Sequence, residues 1–239
     1  MRYFLSLILL LPVAATAGDS PFFREFEAFY EMERGKYEVA EVRMALRRTQ
    51  DGIYRFTSHS ETVGMLSWFV DDEITETSIF RYGDEGFRPV SYEYRHKGSD
   101  KNRDESITYD WTTNTAELDY RGNVSTAELT PGTVDRFLLQ LAAAKGLEEG
   151  IMQQRHRVLD NGRVKFFDLK GSKPETVKVA AGTFKTRVIS RADADDDKRI
   201  TFWFAPELGY VPVRVEQVKK NEEPLRLNLK RIEFPTERK

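Results

Sequence analysis

From Phe22 onward the chain alternates apolar and polar side chains with a period of two, a pattern that predicts mostly antiparallel β-structure. Phe22, Phe26, Tyr30 and Met32 share one face of a first strand, and Glu25, Glu27, Glu31 and Glu33 lie largely opposite. Arg34-Gly35-Lys36 turns the chain back. Ala40, Val42, Met44 and Leu46 then alternate with Glu41, Arg43 and Arg47, and a third strand runs from Ile53 to about Val63. The same rhythm predicts strands over Glu73 to Tyr82, Pro89 to His96, Ala116 to Tyr120 and Val124 to Leu129, and it places Ile107, Tyr109 and Trp111 together on one face.

The apolar run 64–70 breaks the alternation and reads as a short helix or a loop plugging the core. One helix is expected where the period changes: Pro131-Gly132 stops a strand, Thr133 is positioned as the N-cap, and Val134, Phe137, Leu138, Leu141 and Ala142 form a stripe up to Lys145-Gly146. Strands then return. Asp160-Asn161-Gly162 is a hairpin turn, because Asn-Gly accepts positive φ, and strands follow over Thr176 to Ala180, Phe184 to Arg191, Arg199 to Phe204, Val211 to Val218 and Leu225 to Phe234. In the last strand Leu225, Leu227 and Leu229 have one parity and Ile232 and Phe234 the other, so a bulge is expected near Lys230-Arg231. About a dozen strands with short turns do not stay flat. The expected fold is a mainly β, large curved antiparallel sheet forming a barrel or half-barrel with one helix packed on it.

The N-terminus changes the picture of compartment. Arg2, an apolar run from Tyr3 to Val13 and the small-residue box Ala15-Thr16-Ala17 have the form of a secretory signal peptide, too short to span a bilayer. The expected organisation is therefore a signal peptide over 1–17 and one β-rich domain over 18–239, periplasmic and not stably inserted in the membrane. With no cysteine in the chain, a lipoprotein anchor, disulfides and thiolate chemistry are excluded. The formal net charge of −2 argues against nucleic acid as a partner, since that binding needs a concentrated basic face.

Motifs for chemistry are sparse. Asp193, Asp195, Asp196 and Asp197 resemble the start of a calcium loop, but Lys198 stands where the loop needs glycine and Phe204 where it needs a bidentate acid. A solvated hairpin tip is the better account, and Asp193, Asp195 and Asp197 stay weak metal candidates. His59, His96 and His156 are far apart and form no metal motif. No nucleophile elbow or phosphate loop is present, and no cofactor is expected. The stronger signal is aromatic: 16 Phe, 10 Tyr and 3 Trp, enough to furnish an apolar pocket. Trp68, Trp111, Trp203 and Tyr210 are the candidate ligand-binding residues, with packing in a core as the competing role.

Four segments, Asp51-Gly52-Ile53-Tyr54-Arg55-Phe56, the Gly64 segment, Val179-Ala180-Ala181-Gly182-Thr183-Phe184-Lys185-Thr186, and Trp203-Phe204-Ala205-Pro206 leading to Tyr210-Val211-Pro212-Val213-Arg214, span most of the chain in this order. Together they resemble one family, the exported Gram-negative proteins known as domain of unknown function 3108. The resemblance implies a periplasmic curved-sheet protein and brings no established activity. The expected fold is also similar to the half-barrel lipoprotein carriers, an analogy of fold and not of motif. Three functions are compatible with this reading: a non-enzymatic protein that binds or chaperones a lipid-like envelope molecule, an envelope scaffold with a filled core and a protein partner, or a glycan hydrolase built on converging acids or an acid and a histidine.

Overall fold

The computed structural model describes residues 24–49, 51–63, 72–98, 103–192 and 198–235. The signal-peptide segment, the run 64–70 with Trp68, and the acidic tip with Asp193, Asp195 and Asp197 lie outside the described residues. Strands β1 (Phe26–Arg34), β2 (Tyr37–Arg48), β3 (Ile53–Thr62), β4 (Glu73–Gly83), β5 (Gly86–Lys97), β6 (Glu105–Asp110), β7 (Thr115–Tyr120) and β8 (Asn123–Glu128) form a continuous meander. After β9 (Val134–Asp135) and helix α1 (Leu139–Glu148) come β10 (Gln153–Asp160), β11 (Arg163–Gly171), β12 (Glu175–Val179), β13 (Gly182–Ala192), β14 (Lys198–Ala205), β15 (Val211–Lys219) and β16 (Leu225–Glu233). The sheet order is β8-β7-β6-β5-β4-β3-β2-β1-β16-β15-β14-β13-β11-β10-β9, so the first and last strands pair in its middle, β1 against β16. Strand β12 lies off this path, paired with the first half of β13.

The curvature has visible devices. Two prolines within strands, Pro89 and Pro212, sit beside register shifts, where a missing N–H is tolerated and the strand bends. A third shift places Phe29 opposite Arg231 and Tyr30 opposite Leu229, leaving Lys230 as the extra residue. This is the bulge that the change of parity in β16 predicts. Long strands with bulges coil the sheet, and its edges, β8 and β9–β10, approach without joining in a ladder.

Side chains bridge that seam instead. Ser125 Oγ–H donates to the Gly162 carbonyl at 3.2 Å, the Gly162 N–H donates to Glu105 Oε1 at 2.9 Å, and Arg157 donates to the Glu128 carbonyl. Gly162 is required here: its φ is +68°, and a Cβ would come within 3.0 Å of Tyr120 Cβ.

The inner face is a set of cross-strand rows. Phe26, Leu46, Phe56, Ser78, Tyr92, Ile107 and Leu118 stand side by side across β1 to β7, and all are buried. Helix α1 is buried on almost every side, from Leu139 to Leu147, so it lies inside the curl of the sheet and not on an outer layer. Phe137, just before it, stacks on Phe56 with ring centroids 4.2 Å apart.

Two expectations need correction. The helix begins five residues later than the apolar stripe suggests, because Val134 and Asp135 form a short parallel strand with β10 and Thr133 caps nothing. Trp111 is not on β6 but in the turn that follows it.

Candidate functional site

A second inner row, one step from the apolar one, changes character as it crosses the sheet: Ala28, Met44, Ser58, Glu76, Tyr94, Glu105 and Tyr120. Its acids need a counter-charge in a buried setting. Arg136 supplies it from the turn between β9 and α1. The guanidinium lies 3.1 Å from Glu76, 3.3 Å from Asp160 and 3.7 Å from Glu105, with its carbon 4.4 Å from the Tyr94 ring centroid and 5.6 Å from that of Tyr92. Burial works against its charge, but Tyr92, Glu76, Asp160 and Glu105 together hold its pKa above the ordinary arginine range.

The residue before it is Asp135, which is wholly buried. Its Oδ1 accepts Ser78 Oγ–H at 2.7 Å, Phe137 N–H at 3.0 Å and Leu138 N–H at 2.7 Å, while Oδ2 is buried without a hydrogen bond. Desolvation raises its pKa to about 7, against the pull of those three donors. Desolvation also raises Glu105, opposed by the Gly162 N–H and Arg136, and it holds Tyr109 well above the usual phenol range, with Asp135 and Glu105 adding to the effect.

Beside this cluster the curl is not filled. A cavity of about 470 Å³ runs along the inner face. One wall is apolar: Met32, Leu227, Val215 and Phe202 are ladder neighbours across β1, β16, β15 and β14, and Leu225 and Ile200 lie in the next row. Phe137 and Leu139 bring the start of the helix to it, and Glu76, Arg136, Asp160 and Asn161 give it a polar end. The volume falls within the roughly 300–1,000 Å³ of small-molecule sites, which likewise combine apolar walls with a few placed polar groups. A second cavity of about 390 Å³, lined by Tyr82, Phe87, Ala142 and His156 among others, lies where α1 and its exit meet the β4–β5 turn.

Residues 26–229 match the model of the family described as "Protein of unknown function (DUF3108)". The chain belongs to this family. The DUF3108 fold is also similar to a solved structure described as a beta-barrel-like protein of domain of unknown function DUF1849 from Brucella abortus. The likeness covers 89% of this chain and 98% of that one, at 10% identity and a TM-score of 0.54. At that identity the likeness concerns the fold alone. Weaker likenesses reach a protein described as a lipoprotein from Parabacteroides distasonis (TM-score 0.37, 9% identity, 89% and 97% covered) and one described as exported, with a YmcC-like fold, from Bacteroides fragilis (0.36, 11%, 89% and 98%). No curated protein matches the chain. No helix among the described residues is long and apolar enough to cross a membrane.

Of the aromatic residues singled out from the sequence, the three that are described, Trp111, Trp203 and Tyr210, do not line the 470 Å³ cavity. Trp111 donates its Nε1–H to the Pro89 carbonyl at 2.7 Å, under the Arg88 guanidinium. Trp203 donates to Glu175 Oε2 at 2.9 Å, on the side of β14 covered by β12, whereas Ile200 and Phe202 have the opposite parity and line the cavity. Tyr210 closes the turn after the 3₁₀ segment Pro206–Leu208, with φ of 61° and its N–H on the Ala205 carbonyl. No cluster of three or more metal-ligating side chains occurs among the described residues.

The three histidines stay apart. His59 is near Glu61 and Glu73, and His156 bonds Gln154 at 2.8 Å and has its pKa lowered by burial. His96 is buried 3.4 Å from Asp72. This is an acid-histidine pair, but its ring nitrogens bond no hydroxyl among the described residues, and neither residue lines the 470 Å³ cavity. What sequence reasoning missed is the polar end of the cavity. Glu76, Arg136 and Asp160 are far apart in the chain, and each alone reads as one more surface charge.

Proposed function

We propose that this chain is a non-enzymatic periplasmic protein that binds or chaperones a hydrophobic or amphipathic, lipid-like molecule of the cell envelope inside its curved sheet. The observation that carries the reading is the 470 Å³ cavity itself, an apolar wall of ladder-neighbour side chains with a charged but internally paired end. A scaffold with a filled core does not predict such a space, because interiors otherwise pack to crystal-like density. The volume suits one chain or one compact apolar body. The export signal in 1–17 supplies the address, and the membrane supplies the ligand class.

Native mass spectrometry of the protein isolated from its own envelope tests this directly. The expected result is an adduct of discrete mass that disappears in Leu227→Trp, a substitution that fills the cavity from the β16 wall. An adduct-free wild-type protein that also fails to take up apolar fluorophores overturns the reading.

A further inference from the structure

The 390 Å³ cavity at the exit of α1 is built from parts unlike those of the larger one. Tyr82 and Phe87, paired across the β4–β5 hairpin, give it an aromatic side with ring centroids 4.9 Å apart, and Val134, Ala142 and Ile151 add apolar surface. Its volume lies within the roughly 300–1,000 Å³ of small-molecule sites. We infer that it is a second ligand site, for a small uncharged ring molecule that donates an O–H or N–H to Nδ1 of His156. The inference stands apart from the reading of the larger cavity.

Which ring nitrogen of His156 carries the proton follows from Gln154. The Gln154 Nε2 lies 3.1 Å from the Ala143 carbonyl and 3.0 Å from the Ile151 carbonyl, so both its N–H groups are donated and the orientation of the amide is settled. Oε1 is then the atom 2.8 Å from His156 Nε2, and an amide oxygen only accepts. His156 therefore donates from Nε2–H. Burial lowers its pKa, so the ring is neutral at pH 7 and Nδ1 holds a bare lone pair. Among the described residues Nδ1 bonds nothing, and unlike both ring nitrogens of His96 it is not sealed from solvent. The 390 Å³ cavity, which His156 lines, is the space open to it.

A ligand atom meeting that lone pair must donate, and an ether, an ester or a carboxylate brings nothing to give. An ammonium also donates. The desolvation that keeps His156 neutral acts equally on a cation beside it, however, and among the described residues no acid forms an ion pair with this histidine, in contrast to His59 and His96. The charges that line the cavity have partners of their own: Lys145 is 2.6 Å from Glu148 and 3.5 Å from Glu149, Glu85 is 2.8 Å from Arg88, and Arg155 is 3.6 Å from Asp168. Glu85, Glu149 and Arg155 are also exposed, where water weakens the pull of an ion on a ligand.

Indole and N-methylindole test the inference, because they share a ring system and differ in one N–H, and phenethylamine adds a cation of similar size. In nitrogen NMR of the labelled wild-type protein, the assigned His156 ring is expected to show a protonated Nε2 and an unprotonated Nδ1. Indole is expected to move the Nδ1 line upfield, and N-methylindole and phenethylamine to leave it in place. Titrations in Leu227→Trp, where the larger cavity is filled, are expected to give indole about fivefold tighter binding than N-methylindole, the ratio that one net hydrogen bond supports. His156→Phe keeps a ring at the position and is expected to remove that preference. A proton on Nδ1 in the free protein, an Nδ1 line that indole does not move, equal affinity for the two indoles, or tighter binding of the amine overturns the inference. Each of these results leaves the reading of the larger cavity standing.

Discussion

Ser78 donates its hydroxyl to Asp135 across 2.7 Å, tying the middle of the long β-meander to the short strand that opens the second half of the chain. Both residues are wholly buried, and 57 positions separate them. Because no backbone ladder joins β8 to β9 or β10, contacts of this kind close the curl. Ser78→Ala is expected to destabilise the fold by about 1–2 kcal/mol, the cost of one buried charge-assisted bond, seen as a lower urea midpoint with unchanged slope. It also raises the Asp135 pKa further, since the lost donor favours the ionised form. A midpoint equal to wild type would remove Ser78 from the closure.

Asp135 makes stability depend on pH in an unusual direction. Its folded pKa of about 7 lies above the ordinary value of 3.8, so between those two values the native state holds a proton that the unfolded chain releases. Stability from this group is complete near pH 4, falls as pH rises toward 7, and is level above that. Three pKa units correspond to on the order of 4 kcal/mol. Glu105 is shifted the same way and adds to the slope. Asp135→Asn is expected to flatten the decline, measured as chemical denaturation at intervals from pH 4 to 8, with an unchanged slope in the variant as the contrary result.

Much of this architecture is legible in sequence because alternation over long strands reports which face is buried. The parity break in β16 even locates the bulge at Lys230. The start of α1 was not legible, since Val134, Phe137 and Leu138 fit a helical stripe whether or not they are helical. What moves the boundary is the Asp135 carboxylate, which takes the Phe137 and Leu138 N–H groups into a turn. The polar end of the cavity was hidden for a different reason. Glu76 follows the same inward parity as Ser78 and Ser58, and only the distant Arg136 makes burial of an acid at that position tolerable.

Two glycines give contrasting expectations for the packing around the helix. A Cβ on Gly146 would meet Gln154 Cδ and Nε2 at 2.5 Å, and that amide is fixed by bonds to the Ala143 and Ile151 carbonyls and to His156. Gly146→Ala is therefore expected to lower stability by about 1–3 kcal/mol in spite of the better helix propensity of alanine. At Gly171 the nearest obstacle is the flexible end of Met152, with Cε at 2.5 Å, and the Met152 carbonyl oxygen follows at 3.3 Å. Gly171→Ala is expected to stay within about 1 kcal/mol of wild type. Thermal melts of the two variants side by side check the ordering, which a reversed pair would refute.

The tryptophans provide a last test, because their surroundings separate packing from binding. Trp111 sits in a turn with its indole N–H on Pro89 and its ring under Arg88, outside the cavity lining. Trp111→Phe removes that hydrogen bond and part of the cation contact, and is expected to cost about 1–2 kcal/mol of stability. Apolar-probe affinity is expected to stay within twofold of wild type. Phe202→Ala acts in the opposite sense: it strips the cavity wall where Phe202 stacks on Phe204 at 5.6 Å, so probe affinity changes along with stability. If Trp111→Phe instead weakened probe binding tenfold while Phe202→Ala did not, the ligand would have to sit against the β6–β7 turn. The aromatic excess of the sequence would then mark the site at the residue first expected, and the inner rows of the sheet would serve only as core.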